Sequence, residues 1–248
     1  MSDTLVMDWI EKIESTYFDG EIAVAKSLLV EAIEETDAAP QLLKISGLLE
    51  YIEGNYKQAI ELIERAMFEI TLSITAQMTL ANALLKVGEC DKVEVVVEFL
   101  VEQIVRVPCS MLTNLTYVAC AIGRHDLAHD VCVEAFRRHP KDHCALFGIG
   151  FHMLRCNRDP DKARVYLEQA VEMSAGASFY RAEFSALLID LGDPDAAYEQ
   201  IKAIPLEDLP KFYDGNRKDQ FRELLRGKQD FLRLAIVLTV EKSARESQ

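Results

Sequence analysis

A glycine or asparagine recurs along this chain at a nearly constant spacing of 34 or 35 residues. The seven positions are Gly20, Gly54, Gly88, Gly123, Asn157, Gly192 and Gly227. A glycine inside a helix costs about 1 kcal/mol relative to alanine, so each position predicts the end of a helix. Both residue types also tolerate the left-handed backbone conformation that closes helix C-termini. The spacing therefore predicts seven helix–turn–helix units that stack, because one short hairpin cannot bury its apolar side alone.

The residues that flank the breaks repeat with the same period. Small or apolar residues lie five, nine and twelve positions after a break, which forms an i, i+4, i+7 stripe on one helix face. In the second unit the stripe is Ala59, Ile63 and Ala66, and in the last unit Leu232 and Ile236 hold its first two places. Seven residues before the break, five units carry a small residue, namely Gly47, Ala81, Thr116, Gly150 and Ser185. This pattern predicts a close crossing of the two helices in each unit.

The repeated pattern resembles the tetratricopeptide repeat family. The second unit matches the family best, at the signature places of Leu43, Gly47, Gly54, Asn55, Tyr56, Ala59, Ile63 and Ala66. Trp9 and Pro140 also fall where the family favours a tryptophan and a proline. The resemblance implies an all-α fold, a right-handed superhelical α-α solenoid of about seven hairpins that forms a single domain over residues 1–248. The expected hairpins span approximately residues 6–38, 40–73, 74–107, 109–142, 143–176 and 178–211, with a degenerate last unit or cap at 213–246.

In a superhelix of this kind the first helices of the units line a concave groove. By resemblance, the groove binds an extended or helical peptide of a partner protein. The expected lining residues are Lys44, Leu48, Tyr51, Thr75, Met78, Asn82, Thr113, Asn114, Tyr117, Phe147, Phe151 and Phe179. The amides of Asn82 and Asn114 can bond a peptide backbone, or they are ordinary exposed side chains. Tyr117, Phe147 and Phe151 can hold an apolar side chain of the peptide, or they pack between neighbouring repeats.

One subclass of the family clamps the C-terminal carboxylate of chaperone tails with two asparagines, two lysines and an arginine. Asn82 and Asn114 match the two asparagines of that clamp. The cationic places instead hold Met78, Cys144 and Gly148. Because the charge-assisted hydrogen bonds to a carboxylate would be missing, we expect no carboxylate clamp.

All five histidines and five of the six cysteines lie between Cys109 and Cys156. His125 and His129 are one helical turn apart, and Cys132 follows three residues later, a spacing that can hold a divalent metal. Cys132, however, falls on the predicted buried stripe, and His125 takes the place that Tyr56 holds in the second unit, so both also suit packing roles. A metal-binding or redox-responsive protein that uses residues 109–156 is therefore the second interpretation. The first interpretation, a protein-binding scaffold, requires no metal or other cofactor.

Composition and motifs argue against several classes of protein. The net charge of −14 disfavours nucleic-acid binding, which depends on clustered Lys and Arg. Residues 1–71 hold 15 acids and 5 bases, which favours a basic partner or a solvated helix face. The longest uncharged stretch, 107–123, contains Pro, Asn, Ser and Thr, so we expect no membrane span. The N-terminus has acids where a signal peptide needs bases, so we expect a cytoplasmic protein. In that compartment the cysteines are expected to be reduced. The sequence contains no phosphate-binding loop, nucleophile elbow or zinc-protease motif, and we expect no enzyme activity.

The C-terminal segment 231–240 is apolar on nearly all sides. Terminal repeats normally carry a polar outer face, so this helix predicts self-association or partner docking through residues 229–242. The alternative is that preceding aromatic residues cover it, namely Phe212, Tyr213 and Phe221. A structural assembly subunit that acts through this helix is the third interpretation. Val95 and Phe99 are expected on the outer face of the third unit, where they can belong to a contact patch.

Overall fold

The computed structural model describes residues 3–212 and 217–246, and the side chains of residues 4–212 and 219–238. Within the described residues, the chain forms fourteen α-helices and no β-strand. The helices are α1 Asp3–Phe18, α2 Ile22–Glu35, α3 Pro40–Ile52, α4 Tyr56–Met67, α5 Ile74–Val87, α6 Cys90–Glu102, α7 Cys109–Ala121, α8 His125–Arg138, α9 His143–Arg155, α10 Pro160–Met173, α11 Ser178–Asp190, α12 Pro194–Lys202, α13 Arg217–Gly227 and α14 Phe231–Glu246. Short 3-10 turns follow α6 at Ile104–Arg106 and α12 at Leu209–Phe212. The prediction of an all-α chain of consecutive helical hairpins is confirmed.

The hairpins divide into two compact units, Met1–Arg138 and His139–Gln248. The first unit contains the four hairpins from α1 to α8, and the second contains the three from α9 to α14. Inside each unit, the two helices of a hairpin pack together, and helices of successive hairpins also touch. Each unit therefore buries the apolar sides of its helices against its own neighbours. The organisation of the whole chain as one solenoid domain stays a prediction.

Six of the seven predicted breaks have the left-handed backbone conformation. Gly20, Gly54, Gly88, Gly123, Asn157 and Gly192 have φ angles between +52° and +86°. At Gly54, the backbone N–H donates to the carbonyl of Tyr51, and the N–H of Asn55 donates to the carbonyl of Glu50. Such bonds satisfy carbonyl groups that the end of a helix leaves free. These breaks therefore cap the first helix of each hairpin.

The predicted apolar stripe is buried in the first six hairpins, apart from its third residue in the fourth hairpin, Ala135, which is half-buried. Its buried members are Ala25, Leu29, Ala32, Ala59, Ile63, Ala66, Val93, Val97, Leu100, Ala128, Cys132, Ala163, Leu167, Ala170, Ala197, Ile201 and Ile204. The small residues opposite the stripe permit the two helices to cross closely. At Gly47, for example, there is no room for a larger residue, because a Cβ there would lie 2.6 Å from Ile63 Cγ1. On α9, a Cβ at Gly150 would lie 2.7 Å from the carbonyl oxygen of Ala163. The helices of these two hairpins thus approach as closely as the sequence predicts.

The last hairpin departs from the predicted register. Gly227 is still the final residue of α13, and Gln229 has the left-handed conformation instead, with φ +55°. The helix continues through Gly227 because glycine accepts a helical φ as readily as a left-handed one. Accordingly, Leu232 is 61% exposed, whereas Leu234, five residues after Gln229, is 8% exposed. The prediction that Leu232 is buried is therefore wrong, and the second predicted stripe residue, Ile236, is half-buried beside the buried Val237.

The C-terminal helix α14 is partly covered. It contacts α13 and the 3-10 turn Leu209–Phe212, and Phe221 of α13 is buried. Tyr213, the other aromatic residue considered as a cover, lies outside the described residues. Phe231 and Leu232 remain exposed, so self-association through residues 229–242 stays a prediction. No helix in the described part of the chain is long and apolar enough to cross a membrane.

An arginine network joins α8 to α6 in the first unit. Arg124, just before α8, donates to both carboxylate oxygens of Asp126 at 2.8 and 2.9 Å and to Glu98 of α6 at 2.6 Å, and it also pairs with Glu94. The hydrogen bonds from Arg124 lower the pKa of Asp126 to about 2. The carboxylate therefore stays ionised near neutral pH and holds the start of α8 in place.

Candidate functional site

The first helices of successive hairpins lie side by side in the unit Met1–Arg138. Helix α3 contacts α5, and α5 contacts α7, while each also packs against the second helix of its own hairpin. We call the exposed and half-buried surface of these three helices the α3/α5/α7 face. Its predicted site residues with exposed or half-buried side chains are Lys44, Leu48, Tyr51, Thr75, Asn82, Thr113, Asn114 and Tyr117.

Asn82 and Asn114 connect α5 to α7 on this face. The Nδ2 group of Asn82 donates to Asn114 Oδ1 at 3.0 Å and to the carbonyl oxygen of Met78 at 2.8 Å. Among the described residues, Asn82 Oδ1 and Asn114 Nδ2 have no hydrogen-bond partner. The bonded pair thus keeps one acceptor and one donor group for a ligand. A peptide backbone offers the complementary N–H and C=O groups.

Tyr117 is the exposed aromatic residue of the face. Its side chain is 62% exposed and lies one helical turn after Asn114. Tyr51, by contrast, is half-buried and packs on the core, with its ring centroid 5.6 Å from that of Tyr56. A tyrosine combines a large apolar ring with a polar tip, so it commonly contributes to binding surfaces. Its exposure argues against the packing role considered for Tyr117, and the binding role stays a prediction.

Met78 does not contribute its side chain to this surface. It is 4% exposed and belongs to the hydrophobic core of the first unit. Helix α5 touches α3, α4, α6 and α7, so neighbours cover most of its sides. Helical spacing groups Met78 with Asn82, but it does not show how deeply each residue lies between the flanking helices.

The predicted aromatic residues of the second unit differ in exposure. Phe147 is 7% exposed, with its ring centroid 5.0 Å from that of Tyr180 on α11. Phe151 is half-buried, and the guanidinium of Arg155 lies 5.3 Å from its ring centroid. Phe179 is 53% exposed and makes an edge-to-face contact with Tyr180. The packing role considered for Phe147 thus matches its burial, and Phe179 is the aromatic residue available at the surface.

His125, His129 and Cys132 do not form one ligand group. The Nδ1 atom of His125 lies 3.8 Å from Cys120 Sγ, whereas His129 Nδ1 lies 3.0 Å from the carboxylate of Asp130. Cys132 is buried on the apolar stripe, as its packing role predicts. Within the described residues, the three potential ligand atoms that lie within 4.8 Å of one another belong to Cys120, His125 and His152, so the neighbours of His125 in space are not the predicted His129 and Cys132.

An apolar cavity of about 550 Å³ lies between the end of α4, α5 and α6. Its lining includes Met67, Phe68, Leu72, Leu80, Val95 and Phe99. Val95 and Phe99 are exposed, as expected from the sequence, but Phe68, at 84% exposed, was not singled out by the repeat pattern. The signal in the sequence is the pair Met67-Phe68, which follows directly after the last stripe residue, Ala66.

Comparison of the sequence with protein families finds no match. Comparison with curated proteins also finds no match. Solved structures match by fold: a tetratricopeptide repeat protein from Parabacteroides merdae has 15% identity and a TM-score of 0.60 over 96% of this chain and 93% of its own. YrrB, a repeat protein of the same type described with an unusual peptide-binding site, has 16% identity and a TM-score of 0.57 over 69% of this chain and 88% of its own. MamA has 17% identity and a TM-score of 0.56 over 72% of this chain and 97% of its own. At identities of 15 to 17%, the similarity between this chain and these structures shows a shared fold.

Proposed function

We propose that this chain, which has the tetratricopeptide repeat fold, is a non-catalytic scaffold or adaptor that binds a peptide of a partner protein on the α3/α5/α7 face. The observation that carries the proposal is the Asn82–Asn114 pair, with its unused acceptor and donor groups beside the exposed ring of Tyr117. Stacked helical hairpins offer extended surfaces that suit chain-like ligands. The peptide-binding site described for YrrB, a neighbour in fold, supports the same class of function.

The proposed contacts follow from the chemistry of these side chains. An N–H of the peptide backbone donates to Asn82 Oδ1, and a backbone C=O accepts from Asn114 Nδ2. An apolar side chain of the peptide rests on the ring of Tyr117, and the exposed hydroxyls of Thr75 and Thr113 provide further polar contacts. Each hydrogen bond of this kind contributes about 0.5–1.5 kcal/mol, so the pair accounts for roughly 1–3 kcal/mol of binding free energy.

Selection from a phage-displayed library of random peptides against the full chain tests this proposal. The dissociation constants of enriched peptides are then measured by fluorescence anisotropy for the wild type and for an Asn82→Ala/Asn114→Ala variant. We expect the double variant to bind about tenfold more weakly, which is the effect of losing two backbone hydrogen bonds. Tyr117→Ala is expected to weaken binding by a similar factor, because it removes the exposed ring.

Two variants outside the face serve as matched controls. Gln58→Ala removes an exposed amide from α4, and Phe18→Ala removes an aromatic ring that is 82% exposed on α1. Neither change should alter the dissociation constant. If selected peptides bind the face variants as tightly as the wild type, the α3/α5/α7 face is not the receptor and the proposal fails.

A further inference from the structure

The exposed side of helix α1 combines apolar and acidic side chains. Val6 and Ile13 are buried in the core that α1 shares with α2 and α3. On the opposite side of the helix, Met7 is 59% exposed and Phe18 is 82% exposed. A surface cavity of about 470 Å³ lies along this side, and its lining includes Met7, Asp8, Ile10, Glu11, Glu14 and Phe18. We call this side, defined by those six residues, the α1 face.

The acidic residues of the α1 face are not neutralised by neighbours. Asp8, Glu11 and Glu14 are exposed, and within the described part of the chain their carboxylates take part in no ion pair or hydrogen bond. The surrounding hairpin is also acidic, since residues 1–38 hold ten acids and two bases. Like charges repel, so this face disfavours contact with a copy of itself and favours a surface that is both apolar and basic.

The last hairpin of the same chain provides a surface of that kind. Every exposed side chain between residues 231 and 238 of α14 is apolar, namely Phe231, Leu232, Ala235 and Leu238. The helical period places these four on one side of α14, which we call the α14 face. Residues 217–248 hold eight bases and five acids, although the whole chain has a net charge of −14. Arg226, near the end of α13, is exposed and has no ion-pair partner among the described residues.

We propose that the α14 face of one copy of this chain packs on the α1 face of another copy. The pairing joins the second helix of one hairpin to the first helix of another, as α2 and α3 or α4 and α5 are joined inside the first unit. Phe231 and Leu232 bury apolar surface against Met7 and Phe18, and the basic last hairpin is attracted to the acidic first one. This pairing uses none of the residues of the α3/α5/α7 face.

The two surfaces in this contact are different, so the contact is heterologous. Each copy offers one α1 face and one α14 face, and a pair of copies still has one of each to offer. Association of this kind continues from copy to copy unless it closes into a ring. Sedimentation velocity of the full chain over a wide range of protein concentration measures it. We expect the average mass to rise with concentration beyond that of a pair, and to fall when added salt screens the charges.

Two variants each remove one face. Phe18→Asp places a carboxylate in the α1 face, and Phe231→Asp places one in the α14 face. Each is expected to weaken association about tenfold or more, because an exposed aromatic anchor is lost and an unpaired charge would be buried. Both side chains are exposed, so the fold should be kept, and circular dichroism checks this.

An equimolar mixture of the two variants tests the pairing directly. The Phe18→Asp chain keeps its α14 face, and the Phe231→Asp chain keeps its α1 face, so one unaltered contact remains possible between them. The mixture should therefore form a complex of two copies and nothing larger, while each variant alone stays monomeric at the same concentration.

Matched controls separate these faces from other exposed surface. Phe68→Asp alters a ring that is 84% exposed beside the cavity between α4, α5 and α6, and it should leave association unchanged. Glu11→Lys/Glu14→Lys reverses two charges of the α1 face and should weaken association. Glu31→Lys/Glu34→Lys makes the same change of charge at exposed positions of α2 and should weaken it much less.

A wild type that stays monomeric at every concentration would overturn the proposal. A mixture of Phe18→Asp and Phe231→Asp that fails to associate would show that the contact does not join these two faces. Loss of association in Phe68→Asp but not in Phe18→Asp would assign the contact to the cavity instead. Equal weakening by the charge reversals on α1 and α2 would remove the role given to the acids of the α1 face.

Discussion

Gly150 on α9 lies where that helix passes closest to α10. A Cβ placed there would lie 2.7 Å from the backbone oxygen of Ala163 and 2.7 Å from Leu167 Cγ. Backbone atoms cannot move aside as a flexible side chain can, so we expect Gly150→Ala to destabilise the protein. Overpacking of this kind costs about 1–3 kcal/mol, and the gain in helix propensity of about 1 kcal/mol offsets only part of it.

Urea unfolding followed by circular dichroism measures this effect. Gly227→Ala is the matched control, because Gly227 also lies in a helix but a Cβ there would meet no atom within 4 Å. The control should be neutral or slightly stabilising, since it gains helix propensity without a clash. Equal stability of the Gly150 variant and the wild type would show that α9 and α10 are less tightly packed than described.

Two arginines, Arg137 and Arg138, keep the Glu134 side chain ionised. Hydrogen bonds from Arg137 and Arg138 lower its pKa to about 2, below the ordinary value of about 4.3 for glutamate. Arg138 also donates to the carbonyl oxygens of Ile104 and Val107 at 2.6 Å each, so Glu134 orients a side chain that holds the end of the preceding hairpin. A carboxylate with a lowered pKa stabilises the fold above its unfolded-state pKa and loses that contribution as the pH falls.

We therefore expect the stability difference between the wild type and Glu134→Gln to depend on pH. The wild type should be more stable at pH 7, and its advantage should shrink as the pH falls from about 4.3 toward about 2, where the carboxylate of the folded state protonates. Urea midpoints of both proteins at several pH values between 7 and 2.5 measure the difference. A difference that stays constant over this range would contradict the assignment.

At the scale of the element, α14 buries other positions than the repeat pattern predicts, namely Leu234 and Val237. The repeat pattern puts Leu232 on the buried stripe, but the turn at Gln229 places Leu234 there instead. The two leucines therefore provide a matched test of register within one helix. Leu234→Ala is expected to cost about 2 kcal/mol or more, the usual range for a buried leucine, whereas Leu232→Ala should stay within about 0.5 kcal/mol of the wild type.

Thermal and urea unfolding of the two variants decide between the registers. A larger loss for Leu232→Ala than for Leu234→Ala would restore the register expected from the repeat spacing. The Leu232→Ala variant also reduces the exposed apolar surface of α14. It removes a side chain that is 61% exposed and leaves the buried Leu234 in place.

At the scale of the whole molecule, the unit Met1–Arg138 contains four hairpins and the entire α3/α5/α7 face. Stacked repeats draw their stability from nearest neighbours, and about three of them are needed for a stable array. We expect a fragment of residues 1–138 to unfold cooperatively in urea and to bind the selected peptides as the full chain does. A fragment of residues 1–107 lacks Asn114 and Tyr117, so it should lose that binding even if it stays helical.

Circular dichroism and fluorescence anisotropy on both fragments provide the measurement. A 1–138 fragment without a cooperative transition would show that the first unit depends on the rest of the chain. A 1–107 fragment that still binds the peptides would move the binding surface away from α7.

The sequence predicted the architecture better than the site. The turns from Gly20 to Gly192 and the buried stripe of six hairpins follow from local rules about backbone conformation and helical period, which a single sequence displays directly. The face was predicted only as a set of spaced positions. In the structure, Tyr117 and Asn114 are exposed, whereas Met78 and Phe147 are buried. The exposure of each side chain depends on which helices lie on either side of it, and the repeat period does not specify this.

By itself, then, the sequence determined the all-α class, the six breaks from Gly20 to Gly192 and the stripe of the first six hairpins, because these depend on the intrinsic preferences of residues close together in the chain. Only the tertiary structure decided the register of α14, the Asn82–Asn114 bond and the meeting of Cys144 with Tyr180. These features involve residues that are distant in the chain. Cys144 and Tyr180, for example, are 36 positions apart. Their geometry follows from how the helices pack, and a repeat period specifies which helices are neighbours but not the contacts of each side chain.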